Sequence, residues 1–237
     1  IIIDDLGYKH HEDFRAIRLP APIICAIMPH APLSDQLANE AHRSGKEIIL
    51  HIPMEAQHHH RLGPGGLKVE MTKQEFINTL RKNLNSIPLA IGMNNHMGSL
   101  LTTHPMQMHW LMDELKNQGY AYVDSMTTNQ SVANVIARNK KVPYLIRDVF
   151  LDHEVSHQYI QQQLQELINK AQDKGYAIAI GHPHPQTLDA VEKFIAESHL
   201  HNIKIVSLKD MLKHRKHTTS TLRTTSLPEQ PQALKIN

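Results

Sequence analysis

The chain opens on three β-branched residues, Ile1-Ile2-Ile3, the pattern of a strand buried on both faces. From there, apolar runs of strand length alternate with longer stretches whose apolar positions recur at helical spacing. Strands are predicted at Ile1–Ile3, Pro22–Met28, Glu47–Leu50, Leu89–Met93, Tyr120–Val123, Val142–Leu151, Tyr176–Ile180 and Ile203–Ser207. Helices are predicted around His11–Ile17, from Ser34 to about Arg43, from Thr72 to Asn85, from Pro105 to about Asn117, and over Ser131–Arg138, Glu154–Lys174, Thr187–Ser198 and Leu208–Leu212. In Glu154–Lys174 the apolar residues Ile160, Leu164, Leu167, Ile168 and Ala171 fall on one face. Several ends carry local signals. Thr72 and Glu75 form a capping-box pair, Pro105 suits a first turn, and Gly45, Gly119 and Gly175 stop helices.

Strict alternation of apolar strand and amphipathic helix implies parallel strands joined by crossovers. About seven or eight such units without a break favour an α/β fold curled into a closed or nearly closed (β/α) barrel, with an open doubly wound sheet as the alternative. Residues 1–212 form one domain in this reading. Residues 213–237, rich in Thr, Ser, Lys and Pro and without period, are expected to be a disordered tail. Asp4-Asp5-Leu6-Gly7 after the first strand is neither a phosphate loop nor a dinucleotide fingerprint.

Composition changes the picture at one point. The 237 residues carry 25 Lys and Arg against 23 Asp and Glu, so the formal net charge of +2 makes no case for nucleic acid or an anionic membrane. No apolar stretch is long enough to span a bilayer. The single cysteine, Cys25, lies in an apolar run and reads as a small buried hydrophobe. Histidine is the excess, with 19 residues, and it is the commonest side-chain metal ligand. The chain begins without methionine inside an apparent strand, so residues upstream of Ile1, a secretion signal among them, are expected.

Active sites of βα barrels lie at the carboxyl ends of the strands. Those ends supply Asp4 and Asp5, His30, His51 with Glu55, His96, Asp124, Asp152 and His182. Read alone, Asp4-Asp5 is either a helix cap or a metal ligand beside a base. The repetition of Asp and His just past successive apolar runs favours a divalent metal site with mixed ligands of the kind zinc accepts. The run His58-His59-His60 sits in a Gly- and Pro-rich loop and reads as a solvated tract, a weak adventitious metal binder. His104, His109, His157, His199, His201, His214 and His217 read as surface, and Trp110 as core.

Asp4-Asp5-Leu6-Gly7, Gly45-Lys46-Glu47-Ile48 leading to His51-Ile52-Pro53-Met54-Glu55, the block Asn94-Asn95-His96-Met97-Gly98-Ser99, and Gly181-His182 together resemble the divergent polysaccharide deacetylases, relatives of chitin, peptidoglycan and nodulation-factor deacetylases. The likeness runs from Ile1 to about Leu212. It implies a distorted (β/α) barrel of about seven parallel strands, a divalent ion, most naturally Zn²⁺, and a polysaccharide or oligosaccharide substrate in the periplasm or outside the cell. By the same likeness Asp4 is the catalytic base, Asp5 and His51 are metal ligands, and His182 is the general acid. The family's second motif histidine falls here on Glu55, so that either Glu55 or His96 completes the ligand set. His96 is assigned as the third ligand, and Glu55, Asn94, Asn95 and Asp124 as substrate-binding. The family's third-motif Arg is absent from the Asn94–Gly98 block. The expected function is metal-dependent removal of N-acetyl groups from a cell-envelope glycan. The alternatives are another metal-dependent amidase or phosphoesterase, or a glycan-binding protein that keeps the barrel without turnover.

Overall fold

The computed structural model describes residues 1–58 and 61–215. Its strands are β1 (Ile2–Leu6), β2 (Ile24–Ile27), β3 (Ile48–Met54), β4 (Gly92–Met97), β5 (Ala121–Asp124), β6 (Tyr144–Ile146), β7 (Val149–Phe150) and β8 (Ala179–Gly181). The helices between them are α1 (His10–Ile17), α2 (Ser34–Arg43), α3 (Lys73–Ser86), α4 (Pro105–Gln118), α5 (Ala133–Lys140), α6 (His157–Lys174) and α7 (Pro185–Glu197). Every strand pairing is parallel, in the order β6-β5-β4-β3-β2-β1-β8-β7.

The eight strands correspond to the seven or so expected from the alternation, because β6 and β7 are one run, Val142–Leu151, interrupted at Arg147-Asp148. The Arg147 amide still donates to Asp124 of β5, while the Asp148 and Val149 amides donate to Ile178 beside β8. The run therefore leaves one edge of the sheet and joins the other, so the ring is closed by two residues of chain. This is the distorted barrel. The expected last strand at Ile203–Ser207 does not form. Ile203 and Ile205 instead pack, partly buried, against the core without joining the sheet.

Strand residues alternate between two apolar clusters, as the pleat requires. Ile3, Cys25, Ile27, Ile48, Leu50 and Tyr122 join the helices in the main core. Ile2, Ile24, Ala26, Ile49, Val123, Leu145 and Ile180 form a smaller cluster with no residue from α1–α7, the filling of the ring. Leu208 closes that cluster from a helix over 208–215, whose first amides are held by the Glu47 carboxylate. Residues 213–215 thus belong to a helix; the rest of the expected disordered tail, with His217, lies outside the described residues, as do His59 and His60 of the histidine run.

Local signals account for the helix ends. Thr72 and Glu75 form the reciprocal capping box, Pro105 occupies the first turn of α4, and Gly119 and Gly175 end α4 and α6 in the left-handed conformation. Ser34 does not cap α2: its hydroxyl donates back to the Met28 and Ala31 carbonyls and ties the loop after β2. Trp110 is partly buried with its ring edge against Phe76, and Cys25 is fully buried, with burial pushing its thiol up to about 12. Among the described residues no helix is long and apolar enough to cross a membrane.

Candidate metal centre and active site

The interior row of most strands turns polar at its carboxyl end. Two residues beyond Ile2 stands Asp4, beyond Ile49 His51, beyond Gly92 Asn94 and then His96, beyond Leu145 Arg147, and beyond Ile180 His182. Residues two apart share a face, so one layer of side chains above the apolar filling collects these groups.

Asp5 would point away from that layer if β1 were regular. It does not, because β1 carries a bulge: Ile3 pairs with Cys25 and Leu6 with Ile27, three steps against two. Asp5 takes up the extra residue at φ +59°, a left-handed backbone that few non-glycine residues adopt. Both carboxylates then face His51, Asp4 Oδ2 at 3.6 Å from its Nδ1 and Asp5 Oδ1 at 3.1 Å from its Nε2.

Three ligand atoms form a near-equilateral triangle. Asp5 Oδ1 lies 2.9 Å from His96 Nδ1, and His96 Nδ1 lies 3.1 Å from His51 Nε2. A tetrahedral ion with ligands at ~2.1 Å sets them ~3.4 Å apart, so an opening of a few tenths of an ångström would admit it. The hydrogen bonding independently favours a cation. His51 Nδ1 is 2.8 Å from the Asn94 side-chain oxygen, which can only accept, so Nδ1 carries the proton. That leaves the Nε2 lone pair facing Asp5. Asp5 Oδ1 is correspondingly a buried oxygen to which no N–H among the described residues is aimed well enough to hydrogen-bond, an arrangement that costs free energy unless a positive charge sits among the three atoms. A second proton on His51 is the alternative. Burial opposes charging this ring, but Asp4 and Asp5 outweigh it and push its pKa up to about 9. For Asp5 the penalty of burial is likewise overcome by His51 and His96, which hold its carboxyl well below the usual range.

Asn94 ties the groups together. Its amide nitrogen donates to Asp4 Oδ1 at 2.8 Å and to Ser125 Oγ at 3.3 Å, while its oxygen fixes the His51 ring. Burial raises the pKa of Asp4, with His51 and His182 acting in the opposite direction. On the other side, His182 Nδ1 donates to Asp152 Oδ1 at 2.9 Å, and Asp152 Oδ2 accepts from the His182 amide and from Thr187 Oγ1. The His182 ring is thereby oriented with Nε2 toward the centre, 3.8 Å from Asp5 Oδ2. Burial lowers the His182 pKa, but Asp152 more than offsets this and the net shift is upward.

The structure gathers Asp4, Asp5, His51, His96 and His182 at one rim. Of the expected substrate-binding residues, Asn94, Asn95 and Asp124 are buried and engaged with protein groups, and Glu55 is half-buried and lines a separate cavity with Ala56 and Lys68. Asn94 is spent on Asp4 and His51. Asn95 faces the other side of β4 and bonds Tyr122, the Ser125 amide and the Met97 carbonyl. Asp124 is fully buried and accepts from the Met126 amide and Ser131 hydroxyl. Glu55 accepts from the Val69 amide at 2.7 Å, tying down the loop after β3. His30, also at a strand end, turns to Asn83. Of the other histidines read as surface, His109, His157, His199 and His214 are exposed, and His104 and His201 are half-buried. Two supporting residues went unassigned from sequence, Asp152 and Arg147. Asp152 directly follows the Val142–Leu151 run, which was the available signal, whereas Arg147 lies inside that run and becomes a strand end only through the break between β6 and β7.

Residues 1–212 match the divergent polysaccharide deacetylase family. The chain is 32% identical to the uncharacterized protein YibQ of Escherichia coli K12 over 232 residues, 98% of this chain and 72% of that one. The fold is similar to the crystal structure of the uncharacterized protein ATU2773 from Agrobacterium tumefaciens C58, at a TM-score of 0.86 and 24% identity, covering 89% and 87% of the two chains. It is also similar to the catalytic domain of a peptidoglycan N-acetylglucosamine deacetylase from Eubacterium rectale, at a TM-score of 0.55 and 13% identity over 87% and 86%. Taken with the match over nearly all the described residues, these likenesses mean that the chain belongs to the divergent polysaccharide deacetylase family.

Proposed function

We propose that the chain is a metal-dependent hydrolase that removes N-acetyl groups from a cell-envelope polysaccharide or its fragments, on the periplasmic or extracellular side where such glycans lie. The observation that carries this reading is the convergence of Asp5, His51 and His96 on one buried point, flanked by Asp4 and His182. Asp5 Oδ1, His51 Nε2 and His96 Nδ1 would hold a divalent ion, and a borderline ion such as Zn²⁺ suits one carboxylate with two imidazoles. When bound, the ion supplies Lewis acidity to an amide carbonyl and to a water molecule.

The chain's own groups divide the proton work. Asp4, held through Oδ1 by Asn94, takes the proton of the attacking water as its oxygen adds to the acetamide carbon. Its burial raises its proton affinity toward that of a useful base. His182, kept charged by Asp152, gives its Nε2 proton to the amide nitrogen as the C–N bond breaks, leaving acetate and a free amine. Asn94 keeps the His51 ring in the tautomer whose Nε2 lone pair faces the centre.

The test is acetate release from N-acetylated chitin and peptidoglycan oligosaccharides by zinc-loaded protein, with chelator-treated protein as control. Acetate released in proportion to metal content is the expected result. Tight saccharide binding without acetate would replace this reading with the glycan-binding one.

A further inference from the structure

A cavity of about 550 Å³ lies beside the candidate centre, at the break between β6 and β7. It is lined by Phe150 and Tyr159 together with Arg147, His153, Gln163 and Lys170. It adjoins the site directly, because the Phe150 ring packs edge-on against His182 at 5.3 Å between centroids. Arg147 belongs to the same interior row that produces the site, two residues beyond Leu145, and its charge is felt at Asp4.

The arrangement of charge in this cavity is specific. Asp148 and Glu166 line it, but Lys174 holds the first and Lys170 the second. Arg147 is paired with no carboxylate among the described residues. Its Nε and Nη2 donate to the Ser125 and Met126 carbonyls at 2.6 and 2.8 Å, leaving Nη1 without a partner there. The guanidinium is also stacked over Phe150, 5.1 Å from the ring centroid, which holds its plane. A fixed, half-buried guanidinium beside aromatic walls suits a ligand with an apolar face and a carboxylate.

We propose that this cavity is the subsite for the sugar ring next to the N-acetylated one, and that it takes a ring bearing a carboxylate, bound by Arg147 and stacked on Phe150. The proposal rests on the deacetylase reading and adds the class of glycan. A lactyl ether and a uronic acid offer the same carboxylate chemistry, and the probes separate them.

Calorimetric titration of the zinc-loaded full chain would compare three saccharides of equal length: a chitin oligosaccharide, alternating N-acetylglucosamine and N-acetylmuramic acid, and alternating N-acetylglucosamine and glucuronic acid. One or both acidic ligands should bind about tenfold tighter than the neutral one. F150A should weaken every ligand by about tenfold through loss of the stacking wall. R147Q should bring the acidic-to-neutral ratio close to one. Because Arg147 also ties two carbonyls, K170Q serves as a milder variant at a half-exposed edge position, and it should lower the ratio by about twofold without touching neutral binding. A ratio unchanged in both R147Q and K170Q, F150A affinities within twofold of the parent, or no preference for either acid in the parent would each overturn the proposal. Acetate release by the same parent protein, measured alongside, reports separately on the deacetylase reading.

Discussion

Asn94→Ala is the most informative single substitution, because one buried amide holds both the candidate base and a candidate metal ligand. The substitution removes the bond to His51 Nδ1 at 2.8 Å and the bond to Asp4 Oδ1 at 2.8 Å in a position with no exposure. Two buried polar groups are left without partners at roughly 1–3 kcal/mol each, so unfolding free energy should fall by about 2–6 kcal/mol. Loss of the group that fixes a ligating imidazole typically costs 10- to 100-fold in metal affinity, and a drop of about that size is expected here. The Asn94 amide also lowers the Asp4 pKa against the effect of burial. Without it that pKa rises further, and the acid limb of the pH–rate profile, where the base must be deprotonated, moves to higher pH. Competition with a chromophoric chelator measures the affinity, urea denaturation the stability, and kcat/KM against pH the limb. Zinc affinity within twofold of the parent, together with an unmoved limb, would refute the reasoning.

Asp5→Ala or His96→Ala should abolish stoichiometric zinc uptake, since each removes one corner of the ligand triangle; unchanged metal content by elemental analysis would remove that residue from the site. Zinc affinity of the parent should climb with pH toward about 9, because His51, whose pKa is pushed up to about 9, must shed a proton to bind; an affinity flat between about pH 6 and 8 would contradict this. Asp152→Asn removes the charge that keeps His182 protonated, so the basic limb of the rate profile should move to lower pH and kcat should fall by roughly 10²–10⁴ with KM little changed. Gly92→Ala would bring a Cβ to 2.5 Å from the Ala121 carbonyl oxygen, a backbone atom that cannot swing aside, and should cost about 1–3 kcal/mol in urea denaturation.

Most apolar runs became elements close to where they were read, apart from Ile203–Ser207, which forms no strand. The Leu89–Met93 strand is also displaced, since β4 actually runs over Gly92–Met97, through the polar block. A hydrophobic criterion ends a strand at its last apolar residue. Here Asn94 and Asn95 stay inside because each buried amide finds protein partners. The same blindness hid their roles: a strand-end asparagine looks available for substrate until its hydrogen bonds are seen. Asp152 was visible as a strand-end carboxylate, but its pairing with His182, 30 residues away, depended on β7 and β8 lying side by side.

By itself, the order of apolar and polar residues determined a parallel βα domain with Asp and His at its strand ends, because period and burial are local properties of a chain. Only the tertiary structure decided which of those ends meet. The bulge that turns Asp5 inward, the split run that closes the ring, and the turning of His30, Asn95 and Asp124 toward other partners all depend on backbone pairing between distant segments, and that pairing sets the side-chain directions on which a shared ion depends.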